Sequence, residues 1–195
     1  LRARQGRVLK VVLFINAVMF FVEGVAGILA KSTSLLADSL DMFGDASVYA
    51  LTLYVLDRGP VWRSRAALVK GVVMAAFGIG VGIEAALKLS AYSGMPSPET
   101  MGGSGALALA ANGSCLILLL RHRSDDLNMR STWLCSRNDI IANVGVLLAA
   151  GAVAVLGSSW PDLLVGAVIA VLFLKSAFSV LKGAVAELNA TRREA

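Results

Sequence analysis

The sequence predicts an all-α membrane protein: a six-transmembrane-helix bundle with both termini in the cytoplasm. Three observations predict it. First, 57% of the 195 residues are hydrophobic, only 16% are charged, and mean hydropathy is +0.74. A soluble domain carries about 25% charged residues. Second, six apolar stretches of roughly 20 residues, the length that crosses a bilayer, nearly exhaust the chain. They are residues 8–30, 34–56, 66–90, 103–120, 131–156 and 163–186, and they leave no room for a separate soluble domain. Third, the basic residues alternate with the predicted topology. Arg2, Arg4, Arg7 and Lys10 precede or open span one. Arg58, Arg63 and Arg65 lie between spans two and three, and Lys70 opens span three. Arg121, Arg123 and Arg130 lie between spans four and five and Arg137 in the first turns of span five, while Lys182 ends span six and Arg192 and Arg193 close the chain. The opposite side holds only Lys31 and Lys88. By the positive-inside rule both ends are cytoplasmic.

The net charge of +5 follows this topology, so it calls for no nucleic-acid partner. The partners expected are the lipid bilayer and whatever the intramembrane acids bind. Two cysteines are too few for a disulfide framework. The basic start and apolar run of span one look like a signal peptide, but the run is too long and carries Asn16 and Glu23, so it reads as a true span.

Asn16 and Glu23 are two helical turns apart on one face. Asn16 reads as inter-helix hydrogen bonding; Glu23 reads equally as that or as a proton-path carboxylate. Lys31 to Ser34 is a tight turn, with Ser34 as the expected N-cap of span two. Asp57-Arg58-Gly59-Pro60 ends that span. In span three, Glu84 and Lys88 form an i,i+4 pair, read as a local salt bridge. Gly78 and Gly82 form a GxxxG expected to pack against another helix. Residues 91–103 read as the longest loop. In span four, Asn112, Ser114 and Cys115 read as packing residues. His122 reads as an exposed loop residue. Pro161 suits the first turn of span six. Lys175, near the middle of span six, is expected to pair with an acid or face water inside the bundle.

Span two carries the chemistry. It holds Asp38, Asp41 and Asp45 in an otherwise apolar stretch. A carboxylate in hydrocarbon costs several kcal/mol, so intramembrane acids mark functional sites. Asp41 and Asp45 share a helix face, about 6 Å apart along the axis. Two such groups repel, and a bound cation relieves the repulsion. Span five supplies a matching pair, Cys135 and Asp139, again at one-turn spacing. Two pairs on facing helices can close a four-ligand site. Oxygens mixed with one thiolate suit Zn²⁺, or a softer ion such as Cd²⁺, better than Mg²⁺ or Ca²⁺. Measured along straight helices, the two pairs do not come level. Tilt, a recessed first turn or a projecting span five would align them.

The stretches SLLADSLDMFGDASVYALTL and NMRSTWLCSRNDIIANVGVLLAA, with FFVEGVAG before the first and WPDLLVG after the second, resemble the cation diffusion facilitator family. The resemblance covers nearly the whole chain. It implies a six-span metal/proton antiporter with the transported ion held by Asp41, Asp45, Cys135 and Asp139. Asp38, Glu23, Asn16 and Asn143 are candidates for supporting that site or carrying its protons. The chain departs from the family in having no histidine in the site. It also stops shortly after span six, where family members continue into a cytoplasmic domain, so a homodimer would be held by membrane helices.

The expected function is therefore a secondary transporter that exports a divalent transition-metal cation (Zn²⁺, or Cd²⁺ or Co²⁺) from the cytoplasm by proton antiport. No cofactor and no enzymatic activity are expected. The expected location is the bacterial inner membrane. The alternatives are a divalent-cation channel and a metal-binding membrane bundle that does not transport. An intramembrane hydrolase is the weakest, since no dedicated catalytic motif accompanies the acids.

Overall fold

A computed structural model describes residues 2–54, 60–90, 94–120 and 127–193. Its regular structure is helical throughout: α1 (Arg2–Ala30), α2 (Thr33–Tyr54), α3 (Pro60–Ser90), α4 (Pro98–Leu120), α5 (Leu127–Leu156) and α6 (Trp160–Arg193). Five of these contain segments long and apolar enough to cross a membrane: Gly6–Ala30, Ser64–Leu89, Pro98–Leu120, Ser136–Leu156 and Trp160–Ala186. α2 carries its three aspartates instead, and it is central, touching every other helix. The protein is an all-α, multi-pass integral membrane bundle.

The surface is apolar and the centre is polar. On α1, Phe14, Phe21 and Ile28 recur every seventh residue and are exposed, a stripe suited to lipid. The opposite face buries Asn16 and Glu23, as their spacing predicts. Asp38, Asn112, Asp139 and Asn143 are also buried. In hydrocarbon every buried polar group needs an internal partner, so this layer fixes how the helices meet.

α1 lies along α2, α4 lies along α5, and α1 also meets α4. α3 is peripheral, held by α6 and α2. The glycines that seat it are Gly71 and Gly78. A Cβ at either would come within 2.7 Å of Leu181 or Leu174 of α6. Gly82 has nothing within 4 Å of its would-be Cβ. The close approach therefore uses a seven-residue spacing, not the GxxxG.

The α1–α2 turn is recessed into the bundle. Lys31 adopts a positive φ of 55°, and Ser32, Thr33 and Ser34 are fully buried. Ser32, not Ser34, caps α2: its Oγ accepts from Leu35 N at 3.2 Å. Asp162 of α6 supplies the rest of the cap. It accepts from Thr33 N at 2.7 Å and Ser34 N at 3.0 Å, and from the Ser32 and Ser34 hydroxyls at 2.6 Å each. A carboxylate here also complements the positive end of the helix dipole. From the other side, Lys88 donates to the Lys31 carbonyl at 2.7 Å and pairs with Glu84, which accepts from Thr33 Oγ1 at 2.9 Å. The Glu84–Lys88 pair is a salt bridge as expected, and it also clasps this turn.

Three further expectations change. Residues 98–103 are helical: Ser97 caps α4 and Pro98 opens it, a Ser-Pro-Glu start that favours a helix. Asn16 donates to Val12 O of its own helix at 2.9 Å rather than to another helix. Lys175 is exposed on the outside of α6, with no acid paired to it among the described residues. A lysine there runs its stem along apolar surface and its ammonium toward the headgroups. Residues 55–59 of the breaker and His122 lie outside the described residues.

Candidate metal centre

α2, α5, α4 and α1 converge on the buried polar layer. The α1–α2 turn sets its level. A Cβ at Gly166 of α6 would come within 2.7 Å of the Thr33 carbonyl carbon, so the start of α2 packs directly on Gly166. Gly166 lies six residues into α6, about 9 Å below its start. That recession removes most of the offset expected between Asp41 and Asp139.

The two carboxyls meet across the α2–α5 interface within hydrogen-bonding reach. Asp139 is buried, and no N–H or hydroxyl donates to its Oδ2. Asp45, one turn further along α2, accepts from Tyr49 Oη at 3.1 Å. Lys70 of α3 is within electrostatic range of Asp45. Carboxylates in contact require a proton or a cation to offset their repulsion.

One turn away is a second acid pair. Glu23 of α1 and Asp38 of α2 bring their carboxyls together. Both are fully buried, and no N–H or hydroxyl donates to either Glu23 oxygen or to Asp38 Oδ1. Asp38 Oδ2 accepts from Asn143 Nδ2 at 2.6 Å, and Asn143 Oδ1 accepts from Asn112 Nδ2 at 2.8 Å. The chain Asp38–Asn143–Asn112 ties α2, α5 and α4 at one level. The Met42 thioether is also 3.8 Å from Asn112 Nδ2.

The structure thus brings Asp139, Asp38, Glu23 and Asn143 into one buried layer, with the half-buried Asp41 and Asp45 beside it. Asn16 is buried on the same face of α1 as Glu23 but bonds its own backbone. Cys135 lies on α5 one turn before Asp139; its side chain is outside the described residues. Among the described residues, no three acids, thiols or imidazoles close into metal-ligand geometry. Sequence reasoning missed Tyr49 as a partner of Asp45 and Asn112 as the partner of Asn143. Tyr49 was findable, since it follows Asp45 by one turn.

Comparison with known proteins agrees with this architecture. The family model for the cation efflux transmembrane domain matches residues 9–189. The chain belongs to this family. Family members of this kind are transporters rather than enzymes. The chain is similar to the cadmium, cobalt and zinc/H(+)-K(+) antiporter of Bacillus subtilis, at 25% identity over 90% of this chain and 62% of the relative. It is similar to the zinc transporter ZitB of Escherichia coli at 27% over 89% and 59%. It is similar to the metal cation efflux system protein CzcD of Cupriavidus metallidurans at 24% over 90% and 59%. The chain therefore spans about three fifths of the length of these curated relatives.

Proposed function

We propose that this membrane domain binds a divalent transition-metal ion between α2 and α5 and exports it from the cytoplasm in exchange for protons. The ligands are Asp41, Asp45, Asp139 and Cys135. The observation that carries the reading is the carboxyl–carboxyl contact of Asp41 and Asp139 within the polar centre of a lipid-facing bundle. Such a pair is stable with a proton or a cation, and the two compete for the same oxygens. If the site opens to each side in turn, that competition becomes metal-for-proton exchange. Glu23 and Asp38, tied to the site through Asn143, are placed to hold protons the ion displaces.

The names of the relatives support the ion class: zinc, cadmium and cobalt. The first of them is named an antiporter, which supports proton coupling. The relatives are bacterial, which supports the cell membrane as the location. Softness of the donor set ranks Zn²⁺ and Cd²⁺ ahead of Mn²⁺.

The test is calorimetric titration of purified protein with Zn²⁺, Cd²⁺, Co²⁺ and Mn²⁺, wild type against Asp45→Ala/Asp139→Ala, in two buffers of different ionisation heat. Binding that disappears in the variant and releases protons supports the reading. Equal binding by the variant overturns the site. Binding without proton release overturns the exchange. Reconstituted vesicles separate antiport from a channel, since a channel moves the ion with no counterflow of protons.

A further inference from the structure

Tyr49 follows Asp45 by one turn of α2. Helical side chains lean back toward the N-terminus, so the ring at 49 reaches the carboxyl at 45. Its hydroxyl donates to Asp45 Oδ2 at 3.1 Å. The ring itself is held by other helices. Tyr49 is 2% exposed and packs with Leu9 and Val12 of α1 and with Leu119 of α4, all of them buried. Packing from two neighbouring helices keeps the ring in one place and gives its hydroxyl a fixed position. A buried tyrosine hydroxyl takes a hydrogen-bond partner, and here that partner is a carboxyl of the site. Asp45 is only half-buried, so its own packing orients it less firmly than this bond does.

We propose that Tyr49 is a positioning residue that sets ion specificity: its hydroxyl holds Asp45 by one oxygen, so that Asp45 gives the ion the other oxygen alone. This rests on the site reading above and extends it. The hydroxyl draws electron density from Oδ2 and stands beside it, which disfavours chelation through both oxygens. Zn²⁺ sites are almost always four-coordinate. Mn²⁺ prefers an octahedron of hard oxygens, and larger hard ions take carboxylates through both oxygens. An Asp45 that gives one oxygen keeps the donors at one each from Asp41, Asp45, Asp139 and Cys135, and it denies Mn²⁺ an extra oxygen. Partners that orient a ligand in this way are worth about 10–100-fold in metal affinity. Water reaches the half-buried Asp45 and can satisfy it when the hydroxyl is removed, but water does not orient it.

The experiment measures Zn²⁺ affinity of purified protein by calorimetry, and Mn²⁺ affinity by its displacement of Zn²⁺. Wild type, Tyr49→Phe, Leu119→Val and Asp45→Ala/Asp139→Ala are compared. Tyr49→Phe keeps the ring in its cluster and removes the hydroxyl. Leu119→Val loosens the same cluster and keeps the hydroxyl, and metal-free thermal unfolding confirms that both variants are folded. Tyr49→Phe should bind Zn²⁺ about tenfold or more weakly and hold Mn²⁺ as well as wild type or better, so the Zn²⁺/Mn²⁺ ratio falls by the same factor. Leu119→Val should keep the wild-type ratio. Wild-type Zn²⁺ affinity in Tyr49→Phe, or an equal loss for both ions, overturns the role of Tyr49 and leaves the four-residue site standing. The same fall in ratio in Leu119→Val also overturns it, because packing and not the hydroxyl would then set the preference. Absence of Zn²⁺ binding in wild type, or equal binding by the aspartate variant, overturns the site reading itself and this inference with it.

Discussion

Asn143 Nδ2 donates to Asp38 Oδ2 at 2.6 Å, and this bond joins α5 to α2 one turn from the Asp41–Asp139 contact. Both residues are fully buried, so water does not replace the bond. Asn143→Leu leaves Asp38 without this donor and Asn112 without its acceptor. The expected loss is about 2 kcal/mol, within the range for orphaning a buried polar group. Asn138→Leu, one helix position set on the exposed side, should change stability little. Unfolding in detergent measures both. Adding Asp38→Leu to Asn143→Leu should recover part of the loss, because replacing both partners removes the orphan.

Asp162 makes the other long-range clamp, at the opposite edge of α2. It accepts from two backbone N–H groups and two hydroxyls around the α1–α2 turn. Asp162→Ala strips the start of α2 of that cap and should cost about 2–3 kcal/mol, the scale of buried hydrogen bonds to a charged group. Asp162→Asn keeps one acceptor oxygen and should lose roughly half as much on the same scale. Thermal unfolding of the two variants in one detergent gives the comparison. Equal loss in both would mean that charge, not hydrogen bonding, holds the turn.

Most of this fold was legible because the bilayer makes apolar length a strong signal. α2 was legible through its aspartates, since three acids in such a stretch have few explanations. What the sequence hid was register. Nothing in residues 31–34 announces that the turn sinks into the bundle, because the cause is a missing Cβ at Gly166, far along the chain. The level of Asp41 against Asp139 depends on that recession. Local capping was misplaced by two residues at Ser34, because a turn that binds a distant carboxylate reads like an ordinary cap. Lys175 was expected inside the bundle; its exposure shows that the centre holds its acids without it.

Metal binding should weaken as pH falls. The ion binds only deprotonated carboxylate and thiolate, so protons compete with it at every ligand. Below the range in which the ligands ionise, apparent affinity drops about tenfold per pH unit for each proton displaced. Zn²⁺ titrations between about pH 6 and pH 8 measure the slope. A slope of zero would mean that no ligand carries a proton in the empty site. Glu23→Gln removes one carboxyl from the adjoining pair and should make proton release smaller while leaving the ion bound. If release is unchanged, the Glu23–Asp38 pair takes no part in it.

Gly166 is where α2 and α6 touch backbone to backbone. A Cβ there would lie 2.7 Å from Thr33 C and 2.8 Å from Ser34 N, atoms that cannot swing aside as a side-chain end can. Gly166→Ala must therefore push α6 off the start of α2, stretching the Asp162 cap and lifting the α1–α2 turn. Overpacking of this kind costs about 1–3 kcal/mol. Gly82→Ala on α3 meets nothing within 4 Å and should be neutral or stabilising, since alanine suits a helix better than glycine by about 1 kcal/mol. Because the recessed turn sets the height of Asp41, Gly166→Ala should also lower metal affinity although it touches no ligand. Unfolding and Zn²⁺ titration of the two variants test this. A Gly166→Ala protein that is destabilised but binds Zn²⁺ as wild type would show that α2 is positioned by its contacts with α5, through Asn143 and Asp139, rather than by the turn.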